Sequence, residues 1–159
     1  MKRITTILTA ITLSFMFAAA ANARLGETYE ECVTRYGKPT EKLPNDADTM
    51  PGVEIYRFKS DKWGLAITFW KGKAYSIAYY TLDRSSPDIA PGEIAAILKL
   101  NLPNTPWVEQ GQNHWEAKLS NEIAYAGYVT GNRHQALVVE FLSYEVATQQ
   151  YLKKNIKGL

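Results

Sequence analysis

Between Thr28 and Pro39 the chain carries a complete set of signals for starting and stopping one short helix. Thr28 can accept a hydrogen bond from the amide of Glu31, while the Glu31 carboxylate reaches back to Thr28; together they form a capping box. Tyr29, Cys32, Val33 and Tyr36 recur at helical spacing and make one apolar stripe. Gly37 supplies the left-handed C-terminal residue, and Pro39 forbids continuation. A helix this short does not hold itself together in water, so any fold available to the chain must cover that stripe.

The covering surface is encoded downstream. Residues 53–59, 65–71 and 74–82 read as strands, the last two joined around Lys71-Gly72-Lys73 in a tight hairpin. Leu65, Ile67 and Phe69 alternate with Ala66, Thr68 and Trp70, which predicts one core face and one half-exposed face. Both faces of 74–82 carry large residues, so the register across the hairpin stays open. Residues 42–52, rich in Pro, Asn, Asp and Gly, read as loop, and 84–91 is a second break. Pro91 then opens a helix with Ile94, Ile97 and Leu98 on its stripe, ending near Asn101 and followed by a Pro-containing loop over 102–106. Strand patterns return at 114–119, 123–129 and 135–143, and a last helix is predicted over 144–156. The implied class is α+β, with helices packed on antiparallel sheet. The order α-β-β-β occurs twice before the final helix, which suggests halves 24–84 and 85–159. One irregular domain without duplication is the alternative.

Residues 1–23 have the layout of a cleavable secretory signal: Lys2 and Arg3, an apolar run, then Ala21-Asn22-Ala23 before Arg24. The expected mature part, 24–159, is a single domain in the periplasm or outside the cell, with no stable membrane anchor after cleavage. Without Lys2 and Arg3, sixteen basic residues face sixteen acidic ones. A neutral chain without a basic stripe lacks the phosphate-neutralising charge that nucleic-acid binding needs. One cysteine, Cys32, excludes a disulfide framework within the chain and is expected to be a buried thiol.

The segment 26–82 resembles the SmpA/OmlA small outer-membrane protein family and the related fold of the β-lactamase inhibitor protein. The resemblance rests on Gly26-x-Thr28, Cys32-Val33, Gly37-x-Pro39, Tyr56-x-Phe58, Leu65-x-Ile67-x-Phe69 and Gly72. It implies helices on a curved antiparallel sheet in an envelope protein that works by binding other proteins. SmpA/OmlA members are lipoproteins, whereas no lipid-accepting cysteine follows Ala23 here.

No catalytic, cofactor-binding or metal-binding residue is assigned from motifs. There is no G-x-S-x-G elbow and no S-x-x-K pair, and Glu30-Glu31 suits a helix start. His114, Glu116 and His134 are the side chains from which a dispersed hydrolase or metal site could be built, although their spacing matches no zinc motif. Lys153, Lys154 and Lys157 suit the C-terminal end of the last helix, with attraction to an anionic membrane surface as the alternative. The aromatic supply on and beside the strands is more suggestive, because Trp and Tyr dominate protein-binding hot spots. Trp63, Trp70 and Tyr80 are the candidate protein-binding surface. The expected function is therefore a non-enzymatic interaction module, its partner an envelope protein or a second copy. A small apolar-ligand or lipid carrier and a hydrolase are the alternatives.

Overall fold

The helix specified from Thr28 forms. In the computed structural model, which describes residues 24–45, 49–60, 62–82, 89–130 and 135–155, helix α1 spans Tyr29–Tyr36. The Glu31 amide donates to Thr28 Oγ1 at 3.2 Å, and the Thr28 amide donates to the Glu31 carboxylate at 2.7 Å. The Gly37 amide closes the last turn on the Val33 carbonyl at 2.9 Å. Gly37 departs from the expected left-handed turn: φ 77 with ψ −170 is an extended conformation of positive φ, open in practice to glycine alone.

After α1 come β1 (Glu41–Leu43), β2 (Val53–Lys59), β3 (Trp63–Trp70) and β4 (Lys73–Thr81). Helix α2 (Pro91–Asn101) precedes β5 (Val108–Gly111), β6 (His114–Lys118), β7 (Ile123–Thr130) and β8 (Gln135–Phe141), and α3 (Leu142–Asn155) closes the described chain. Each half is thus a helix followed by four strands, one more than the pattern predicted. The added strands, β1 and β5, are the two edges of the sheet and bury no side chain. Their strand character comes from backbone pairing to β2 and β6, so no alternation announces it.

All eight strands form one antiparallel sheet in the order β1-β2-β3-β4-β8-β7-β6-β5. The two meanders meet where β4 pairs with β8, Ile77 opposite Val139. The β3–β4 hairpin turns through Lys71 and Gly72, both at positive φ (51 and 75), the geometry of a two-residue turn that matches strand twist. That turn pairs Trp70 with Lys73 and Phe69 with Ala74, and a β-bulge beyond it shifts the register by one residue, so that Leu65 stands opposite Tyr79 and Gly64 opposite Tyr80.

Register divides the side chains between two faces. The near face carries Phe58, Leu65, Ile67, Ile77, Tyr79, Leu137 and Val139, all at 1% exposure or less. Helices α1 and α2 cover it. Tyr29 brings its ring to 4.9 Å from Tyr56 and 5.8 Å from Phe69, Tyr36 sits 5.8 Å from Phe58, and Cys32 is wholly buried. From α2, Asn101 Nδ2 donates to Tyr79 Oη at 3.0 Å inside the core. Each large aliphatic side chain buried there contributes about 1.5–3 kcal/mol, which holds a helix of eight residues in place. The lead into α1 is also tied to the sheet: the Gly26 amide donates to the Ala74 carbonyl and the Ala74 amide to the Glu27 carbonyl, both at 2.7 Å.

Candidate functional site: the far face of the sheet

On the far face the same alternation places Ala66, Thr68 and Trp70 of β3, Ser76, Ala78 and Tyr80 of β4, and Val138 and Glu140 of β8. From β7 and β6 it adds Tyr125, Gly127, His114 and Glu116. The central strands thus offer a floor of small side chains with rings around it. Ala66, Thr68, Ala78 and Val138 are all half-exposed there.

Two of the rings lie on glycines. A Cβ added at Gly64 would fall 2.7 Å from Tyr80 Oη and closer still to the ring carbons, so the Tyr80 ring occupies the space a side chain would take. At Gly127 an added Cβ would meet His114 Cδ2 at 3.0 Å. In both cases the ring comes from the residue directly opposite on the neighbouring strand. Glycine in a strand interior weakens the strand, and its use here is the close approach of a ring to backbone. His114 is held further by a 2.9 Å contact between Nδ1 and the Gln112 carbonyl.

One end of this face is closed. Helix α3 packs against β7 and β8, and Tyr144 sets its ring 6.0 Å from Trp70 and 6.4 Å from Tyr75, with Tyr75 in turn 5.5 Å from Phe141. Lys71 Nζ lies 4.0 Å from the centre of the Trp70 ring. Beside α3 the face dips into a depression of about 370 Å³. There Glu140 is half-buried; burial pushes its carboxyl above the ordinary glutamate range, a hydrogen bond from Ser76 opposes the shift, and the charge of Glu145 adds to it.

The three surface candidates therefore separate. Tyr80 lies on the far face over Gly64, and Trp70 lies on the same face half-covered by α3. Trp63 is a correction: it shares the parity of Leu65, faces the core and is 8% exposed, so it cannot present a binding surface. Of the dispersed trio, His114 and Glu116 do share the far face of β6, but Glu116 is engaged by Lys118 at 3.3 Å. His134 lies outside the described residues, as do the signal segment 1–23 and Lys157. Among the described residues no three His, Cys, Asp or Glu side chains converge as a metal site would require. Burial, and secondarily the neighbouring Glu27 carboxylate, pushes the Cys32 thiol up to about 12, which removes the thiolate at neutral pH.

The near side carries a second concavity, a groove of about 720 Å³ between α2 and the β5–β6 hairpin. Ile94, Leu98 and Leu102 line it from the helix, and Trp107 and Trp115 from the other side. Trp107 is fixed by its indole N–H, which donates to the Leu98 carbonyl at 2.7 Å.

Pattern reasoning picked out the aromatics but passed over Gly64, Gly127 and Glu140. The two glycines carried a readable signal, since each interrupts a strand otherwise rich in large or β-branched residues. Glu140 carried none, because only the pairing of β8 with β4 and β7 sinks it among neighbours.

No protein-family model matches this chain, and no curated protein is similar to it. Among solved structures the chain is similar to a cysteine-rich secretory protein from Staphylococcus aureus subsp. aureus Mu50, at 15% identity over 77% of this chain and a TM-score of 0.40. The chain spans 44% of that protein's length. No helix among the described residues is long and apolar enough to cross a membrane.

Proposed function

We propose that this chain is a non-enzymatic interaction module, exported to the periplasm or cell exterior, that binds an envelope protein across the far face of its sheet. The observation that carries this reading is the pair of rings held over glycines. Tyr80 and His114 are held close against Gly64 and Gly127, beside a floor of Ala66, Thr68, Ala78 and Val138, so little side-chain freedom remains to be lost when a partner closes over them. The resemblance to the SmpA/OmlA and inhibitor-protein folds supports the same reading, as does the signal-like start.

The test is face-specific. A photo-reactive residue at Ala78 or Thr68, introduced one at a time in the full exported chain, should crosslink to one discrete protein in envelope preparations. The same residue at Glu30, on the solvent side of α1, should not. Equal labelling from both faces, or none from the far face, would remove the reading.

The groove beside α2 favours a second reading, a carrier of a small apolar ligand. Its volume and its mixture of Leu, Ile and Trp suit a drug-sized apolar molecule. Native mass spectrometry of the exported protein tests this by its mass: an added apolar molecule, lost on Leu98→Arg, supports the carrier, and an unadorned mass in both argues against it.

A further inference from the structure

Glu140 is a half-buried acidic side chain on the far face. Strand register places it opposite Ser76 of β4 and Tyr125 of β7. Its carboxylate keeps a hydrogen bond from Ser76 and faces a second carboxylate, Glu145, from the first turn of α3. The ion pairs among the described residues are Glu27 with Arg35, Glu54 with Lys42, Glu41 with Arg57, Glu93 with Lys62 and Glu116 with Lys118; none involves Glu140 or Glu145. A half-buried carboxylate with no ion-pair partner among the described residues carries a desolvation cost, and a folded chain retains such a group most readily when something outside it supplies the charge.

The depression around Glu140 states what that something is. Val138 and Tyr125 give it apolar and aromatic walls, Leu142 and Glu145 close it from α3, and His114 borders it. Its negative charges want a cation. A bare metal ion is disfavoured, since the described residues bring no three ligating side chains together. A planar guanidinium fits the remaining chemistry: it can pair in fork geometry with a carboxylate, and it stacks on a tyrosine ring.

We propose that the protein bound on the far face inserts an arginine side chain beside Glu140, in the depression between β7, β8 and α3. This rests on the docking role of the far face and adds the chemistry of the partner. Glu145, exposed at the rim, attracts the same cation and contributes less, because solvent screens it.

The experiment uses N-acetyl-arginine amide as probe and N-acetyl-citrulline amide, its uncharged counterpart, as control, titrated into the exported protein and followed by NMR. The arginine compound should shift Tyr125, Gly127 and Glu140 saturably, and the citrulline compound should leave them in place. Glu140→Gln should weaken the arginine compound by about tenfold or more, and Glu145→Gln by about twofold to threefold. Equal response to the two compounds, or undiminished binding in Glu140→Gln with the remaining spectrum unchanged, overturns the proposal. The two ideas fail separately. Crosslinking that persists from Ala78 while arginine and citrulline behave alike removes the arginine site alone, whereas loss of far-face crosslinking removes the docking role.

Discussion

Replacing Gly64 by Ala should separate the stability of the fold from the proposed docking at the far face. An added Cβ would lie 2.7 Å from Tyr80 Oη and nearer still to two ring carbons, against an ordinary contact distance of about 3.5–4.0 Å. The ring must therefore retreat by about 1 Å or more. It can do so, because the obstructing atoms are the far end of a side chain on a half-exposed face. Losing one ring face against the backbone uncovers about 40 Å² of apolar surface, which costs about 1 kcal/mol. Removing a glycine from a strand interior returns about 0.5–1 kcal/mol. The terms nearly cancel, so the expected change in Tm is no more than about 4 °C. Binding should respond more strongly, since the freed ring has to be immobilised again at about 0.5–1.5 kcal/mol, a loss of about twofold to tenfold in affinity. Calorimetry reads the first quantity, and titration against the crosslinked partner reads the second. A fall in Tm beyond about 10 °C would show that the Tyr80 ring cannot yield. Unaltered Tyr80 ring resonances would show that it never lay over Gly64; either result refutes the reasoning.

Two further outcomes follow from buried groups. Tyr79→Phe removes the oxygen that accepts from Asn101 Nδ2 at 3.0 Å in the core and should cost about 1–2 kcal/mol in urea unfolding, with a loss below about 0.5 kcal/mol meaning that the bond is dispensable. Glu140 titrates above its ordinary value in the folded state, so between about pH 4.3 and that raised value the native chain holds more of this proton than the unfolded chain does. Its contribution to stability is therefore lost as pH rises through that window. Glu140→Gln should be at least as stable as the parent at neutral pH, and the difference between the two should shrink on acidification; a variant that is less stable at pH 7 contradicts this.

Local signals carried most of the architecture. The capping box at Thr28 and Glu31, the Pro91 start of α2 and the alternation of Leu65, Ile67 and Phe69 each act within a few residues, so they were legible in order along the chain. Strands β1 and β5 were not, because Glu41-Lys42-Leu43 and Val108-Glu109-Gln110-Gly111 bury nothing and owe their conformation to the neighbour they pair with. The candidate site was legible in part. Aromatic content pointed to a binding surface, but parity alone could have moved Trp63 out of it, since Trp63 falls on the Leu65 side of the strand.

Sequence by itself determined the three helices, six of the eight strands, the α+β class and most of the residues that face inward, because capping, turn chemistry and side-chain alternation are short-range and repeat with a fixed period. Only the tertiary structure decided what the outward residues do. Bringing β4 against β8 joins side chains some sixty positions apart, laying Glu140, already beside Tyr125 in the β7–β8 hairpin, next to Ser76 and gathering the two rings held over glycines onto one face. Such proximity is a property of register between distant strands, which no local pattern encodes.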